Sequence, residues 1–173
     1  MQIKRKKLTQ KLGINLELFS NKHKNITKKT LTKYSLFKRE LIERQKIRAT
    51  YQIANSTLKT IVKRLKHTQD KLIAIIKLLE KRLDNVLFRA QICATRRAAQ
   101  QLIAHKKIKL NGKRETQKAK LIAKNDIIKS PYITNNTSKY FAVFGKKCKV
   151  LRTDYYKKYI KQYNKFLLTK TLN

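Results

Sequence analysis

The sequence predicts an α+β protein. A helical subdomain is followed by two packed helices set against a small antiparallel sheet, with a basic N-terminal arm and a C-terminal extension. Three observations lead to this reading. Apolar residues recur at helical spacing across the middle of the chain. The pattern then switches to period two at Lys107-Ile108-Lys109-Leu110, as in a half-buried strand. Asn111-Gly112 follows at once, a pair suited to a two-residue hairpin turn in which both central residues need positive φ. The resulting division is residues 1–30 for the arm, 31–81 for the helical subdomain, 82–130 for the helix-and-sheet domain, and 131–173 for an extension made of a hairpin plus a helix.

In the arm, Leu12, Ile14, Leu16 and Leu18 alternate, but Gly13 and the surrounding lysines weaken any strand. Such a segment is expected to order only on a polyanion, or else to remain a tail without specific contacts. From Thr32 to Tyr51 the pattern is helical. Phe37 and Leu41 lie one turn apart, with Tyr34, Ile47 and Tyr51 near the same face, while Lys38, Arg39, Arg44, Lys46 and Arg48 occupy the rest. Glu40 and Glu43, among so many cations, suit intrahelical ion pairs better than acid–base chemistry.

Asn55 or Ser56 can cap the next helix, whose stripe is Leu58, Ile61, Val62 and Leu65. His67, Thr68 and Asp70 interrupt the pattern, and Leu72, Ile75, Ile76 and Leu79 resume it. Leu83, Val86, Leu87 and Ala90 continue it, as one long helix or as two joined near Lys81. Arg82 and Arg89 fall off the stripe, where they can face solvent or a partner. Thr95 is a natural N-cap for a helix from Arg96 to about His105, with Ala98, Ala99, Leu102 and Ile103 inward. After the turn at Asn111-Gly112, a return strand is expected near Ala119 to Ala123, a turn at Lys124-Asn125-Asp126, and a strand at Ile127-Ile128-Lys129 before Pro131. Tyr140 to Phe144 and Lys149 to Leu151 form a predicted hairpin around Gly145. Tyr156, Tyr159, Ile160, Tyr163, Phe166 and Leu167 then fit a helix, and a core or protein-contact face suits these aromatics better than base stacking.

Charge restricts the function. The chain of 173 residues carries 45 Lys+Arg against 9 Asp+Glu, a formal net charge of +36. So much like charge repels itself in a compact state, so a polyanionic partner is expected. Nucleic acid leads, and an anionic membrane surface comes second. No apolar run approaches the length of a membrane span, so no membrane insertion is expected. Cys93 and Cys148 form no C-x-x-C pair, which leaves them as small apolar fillers rather than zinc ligands. His23 and His67 have no carboxylate or thiol setting, and no phosphate-loop, metalloprotease or nucleophile motif occurs. No metal, cofactor or catalytic residue is expected. Arg96 and Arg97 at a helix start are the natural phosphate site, because guanidinium forks and orphan amides attract the same anion.

The segments RLDNVLFR (82–89) and ATRRAAQQLIAHKKIKLNGK (94–113) resemble the S-four RNA-binding domain family, in the form carried by the small-subunit ribosomal proteins from which the domain takes its name. The similarity extends upstream through YSLFKRELIERQKIRATY (34–51) and downstream through LIAKNDIIK (121–129). Two departures stand out. Family members usually place glycines in the loop where this chain has Gln91 and Cys93, and a Glu three residues after the capping Thr, where this chain has Ala98. The resemblance implies a structural constituent of the small ribosomal subunit. It would bind the 5′ domain of small-subunit rRNA, support assembly and translation, and neighbour other small-subunit proteins without forming a homo-oligomer. The residues expected at the RNA are Arg82, Arg89, Thr95, Arg96, Arg97, Gln101, His105, Lys106, Lys107, Lys109, Asn111 and Lys113, with Arg44, Lys46 and Arg48 upstream. The alternative is a stand-alone S-four RNA-binding factor in ribosome assembly or quality control, but such factors lack the upstream segment.

S-four domains are also appended to pseudouridine synthases, whose catalytic motif contains Arg-Leu-Asp. Here Arg82-Leu83-Asp84 is followed by Asn85-Val86-Leu87, without the Thr-x-Gly of those enzymes. Asp84 is therefore expected in an ion pair or cap near Arg82 or Arg89. The prevalence of Lys, Asn, Ile, Tyr and Phe matches A+T-rich coding, common in organelle genomes. The basic N-terminus lacks transit-peptide character. With ends that diverge from bacterial and plastid members, this suggests an organelle-encoded mitochondrial protein with an organelle-type C-terminal extension; the alternative is a cytosolic protein of an A+T-rich bacterium.

Overall fold

The computed structural model describes residues 34–133 and 140–160, together with Leu12 and Tyr163. The expected arm at 1–30, apart from the buried Leu12, and the end of the expected terminal helix, with Phe166 and Leu167, lie outside the described residues. The chain divides into two compact units, the second being residues 76–160.

In the first unit, α1 (Leu36–Tyr51) starts on Ser35, whose hydroxyl accepts the Lys38 amide, and ends at Gln52 in the left-handed conformation (φ 52°). Its buried face is Ile42, Glu43, Lys46, Ile47 and Tyr51. This corrects the expected face, since Phe37 and Leu41 are 75% and 42% exposed. The cause is an ion pair one turn long. Lys46 Nζ lies 2.5 Å from Glu43 Oε1, so two residues that read as polar can sit inside the face as a neutral pair. α2 (Asn55–Arg64) is capped by neither Asn55 nor Ser56; its N-cap is Ala54, which supplies no side-chain bond. Leu58 and Ile61 are its buried residues.

α3 (Lys71–Glu80) buries Leu72, Ile75, Ile76 and Leu79 and stops at a turn on Lys81. The apolar pattern that runs on past it thus belongs to a second helix, α4 (Leu83–Arg89). The second unit continues through α5 (Arg96–Ala104) and the strands β1 (Lys109–Leu110), β2 (Lys113–Arg114), β3 (Ile127–Lys129), β4 (Phe141–Phe144) and β5 (Lys147–Val150). All pairings are antiparallel, in the order β2-β1-β3-β5-β4.

Asn111 and Gly112 both have positive φ, 49° and 86°, as the two-residue turn requires. The return strand is Lys113–Arg114, not the expected stretch near Ala119 to Ala123. A two-residue turn fixes the partner strand immediately, so nothing remains for the later segment to pair with in the hairpin. That segment instead clamps the α3–α4 junction. Ile122 N donates to Lys81 O at 2.8 Å, Leu83 N donates to Lys120 O at 2.8 Å, and Leu121 bridges Arg82. The expected hairpin around Gly145 is present, but β5 pairs with β3. The hairpin therefore extends the same sheet, and the boundary drawn at residue 130 runs through it rather than before a separate extension. A 3₁₀ turn (Asp154–Tyr156) and α6 (Lys157–Ile160) follow.

The core of this unit joins Leu83, Val86, Leu87, Ala99 and Ile103 of α4 and α5 to Leu110, Ile128, Cys148 and Val150 of the sheet. Ala98 and Leu102 pack against it, half-buried. Cys93 and Cys148 are free and buried, and burial pushes both thiols up to about 11.

Candidate nucleic-acid interface

The α4–loop–α5 unit builds a buried polar network beneath its surface. Arg82 grips Asp84 with two bonds, Nε to Oδ1 at 3.1 Å and Nη2 to Oδ2 at 2.7 Å, and Gln100 Nε2 donates to the same carboxylate at 3.0 Å. Glu80, fully buried, accepts from Arg89 at 3.1 and 2.9 Å and from the Asn85 amide. Asn85 Oδ1 in turn accepts from Arg96 Nε at 2.7 Å. The Arg96 guanidinium lies 4.3 Å from the centre of the Phe88 ring, and that of Arg89 lies 3.5 Å from the centre of Tyr159.

This network revises the sequence expectations. Lys46, Arg82 and Arg96 are only 7%, 4% and 2% exposed, and Arg89 is half-buried. Arg82 and Arg89 do not stand free off an apolar stripe; the acids at Asp84 and Glu80 draw them inward. Arg96 is not the outward phosphate ligand expected at the helix start, because Asn85 and Phe88 hold it inside. Asp84, 2% exposed, has its carboxylate occupied by Arg82 and Gln100, as its expected structural role requires.

The exposed members form a different set. Arg97 and Gln101 stand one turn apart on α5 and are exposed, and His105, its C-cap, is exposed one turn further on. Lys106, at φ 57°, and Lys107 continue beyond the helix end, and Lys113 stands exposed past the hairpin turn. Lys109 is half-buried. Asn111 is exposed, but its amide is used locally: Nδ2 donates to Asp126 Oδ1 and Oδ1 accepts the Ile127 amide, both at 2.9 Å. Thr95 accepts the Ala98 amide at 3.1 Å, so it caps α5 even without the Glu that would complete a capping box. Arg44 and Arg48, half-buried and one turn apart on α1, belong to the other unit.

The loop before α5 shows how the missing glycine is accommodated. Gln91 adopts φ 58°, the left-handed region that glycine occupies without strain, and Ile92 and Cys93 then turn inward. Gln91→Gly is therefore expected to leave stability unchanged or raise it by up to about 1 kcal/mol, despite removing a side chain. A loss in a thermal melt would show that the side chain itself holds the loop.

The acids of this unit are engaged internally. Glu80 and Asp84 neutralise buried arginines, Glu115 accepts the Thr116 and Gln117 amides, Asp126 accepts from Asn111 and the Ala123 amide, and Asp154 pairs with Arg152. Among the described residues, none of the exposed cations on α5 or the β1–β2 hairpin takes part in these ion pairs. The surface is left strongly positive, as a phosphate-binding surface must be. Exposed cations that the sequence expectations did not include are found here too, among them Arg114, Lys118, Lys120, Lys124, Lys129 and Lys147. The period-two pattern at Ile127–Lys129 could have singled out Lys129. Among the described residues no helix is long and apolar enough to cross a membrane.

Two helices packed on an antiparallel sheet, under a surface rich in exposed cations, fit a module of the S4 type. Residues 81–128 match the family model described as S4 domain, so the chain carries a domain of that family. Relatives that it matches beyond that domain include ribosomal proteins. It is 43% identical over 94 residues to small ribosomal subunit protein uS4 of Borrelia hermsii, covering 52% of this chain and 44% of that protein. It is 34% identical over 136 residues to uS4 of Borrelia recurrentis, covering 70% and 64%. The match to uS4 of Borreliella burgdorferi is 33% over 142 residues, covering 73% and 66%. The chain thus spans about half to two thirds of the length of these relatives.

Proposed function

We propose that the protein is a structural constituent of the small ribosomal subunit that binds the 5′ domain of its rRNA and supports subunit assembly and translation. The observation that carries this reading is the line Arg97–Gln101–His105–Lys106–Lys107, exposed on an S4 domain and outside the ion pairs found among the described residues. The mechanism is positioning rather than catalysis. Exposed cations neutralise phosphates and release counterions, and the rigid α4–α5 unit reads the shape of a folded RNA. Buried Arg82 and Arg96, with half-buried Arg89, contribute by holding that unit in place. The similarity to uS4 proteins runs over 136 to 142 residues, well beyond the S4 domain, which favours a ribosomal constituent over a stand-alone assembly or quality-control factor. Its partners in this reading are small-subunit rRNA and neighbouring small-subunit proteins. A mitochondrial, organelle-encoded setting is proposed from the A+T-rich composition, while the relatives named above are bacterial.

Binding of the full chain to a 5′-domain rRNA fragment is expected to weaken by about a thousandfold between 50 and 200 mM salt, as follows from about six or more phosphate contacts. Binding that is insensitive to salt over that range would sink the phosphate-neutralising account. Sedimentation of the tagged protein from mitochondrial lysate separates the alternatives. Co-migration with small subunits supports the constituent, and a free pool or large-subunit association favours the quality-control factor.

A further inference from the structure

The strand register places cations opposite one another across the sheet. Arg114 lies opposite Lys109, Lys109 opposite Lys129, and Lys129 opposite Lys147. At the edge, Lys147 lies opposite Phe144, whose side chain is 67% exposed. Directly opposed residues share a face, so these form one continuous row across every strand of the sheet. The next row along the strands, Leu110, Ile128, Cys148 and Val143, points the other way into the core beneath α4 and α5. The cationic row therefore stands on the open face, away from the two helices.

Like charges directly opposite one another destabilise a sheet. Here they recur at three of the four strand pairings, and among the described residues no carboxylate forms an ion pair with any of them. A row spaced by about 4.8 Å per strand suits a linear polyanion lying across the strands. An exposed phenylalanine at its end offers a platform for a base, a combination of charge and stacking typical of single-stranded nucleic acid sites.

We infer that the open sheet face is a second RNA-binding surface. The phosphodiester backbone of an RNA strand crosses Arg114, Lys109, Lys129 and Lys147, and a base packs on Phe144. The inference rests on the rRNA-binding reading above and adds that the domain is contacted by RNA on both sides.

The test uses the full chain and the 5′-domain rRNA fragment. Lys129→Gln with Lys147→Gln is expected to lower the salt slope of binding by about two, while the melting temperature stays level or rises as repulsion is relieved. A photo-crosslinking residue at position 144, in particles reconstituted with small-subunit proteins, is expected to form its adduct with RNA. An unchanged slope, or an adduct with a protein chain, overturns the second surface while leaving the α5 surface intact. If the wild-type chain fails to bind the fragment at all, the rRNA-binding reading falls, and this inference with it.

Discussion

Glu80→Ala is expected to destabilise the S4 unit by about 3–5 kcal/mol, the cost of leaving a buried ion-pair partner uncompensated. Glu80 is fully buried and accepts from both Arg89 and Asn85, and Asn85 in turn holds Arg96. Removing the carboxylate leaves the largely buried Arg89 guanidinium without its counter-charge and frees the Asn85 amide that orients Arg96. For a unit of this size the melting temperature should fall by roughly 12 °C or more. Glu80→Leu combined with Arg89→Leu should cost much less, because no buried charge is then stranded. A fall of only a few degrees for the single variant would show that solvent reaches this network.

Arg97→Glu, Lys106→Glu and Lys107→Glu together are expected to weaken rRNA binding by about a hundredfold or more at moderate salt, with unchanged helicity. All three side chains are exposed and none takes part in the ion pairs found among the described residues. Each reversal removes a phosphate contact and adds repulsion. Arg96→Glu is the informative contrast. It places an unpaired carboxylate where Asn85 Oδ1 accepted a donor, so it should lower the melting temperature before it says anything about RNA. Unchanged RNA affinity in the triple variant would remove the end of α5 from the interface.

Much of the fold was legible because its signals are local. The stripe at Leu83, Val86, Leu87 and Ala90, the cap at Thr95 and the turn at Asn111-Gly112 each depend on residues within a few positions of one another, and each is where the spacing placed it. The return strand and the role of the C-terminal hairpin were not legible. Which strand pairs with which is set by contacts between residues far apart, as in Ile128 with Cys148.

The interface divided in the same way. Composition and spacing alone establish that the chain is a polycation with a helix–helix–hairpin unit and cations clustered at both ends of its second helix. Net charge and periodicity are additive properties of the chain and survive any packing. Packing then sets which arginines remain exposed. Arg96 and Arg97 are adjacent and chemically identical, yet Asn85, itself held by Glu80, and the Phe88 ring draw the first into the interior while the second stays in solvent. The open row on the sheet likewise exists only because the register aligns residues from four separate strands. Whether a charge stays exposed depends on what packs around it, and for Arg96 and Arg89 those partners are brought together by the fold.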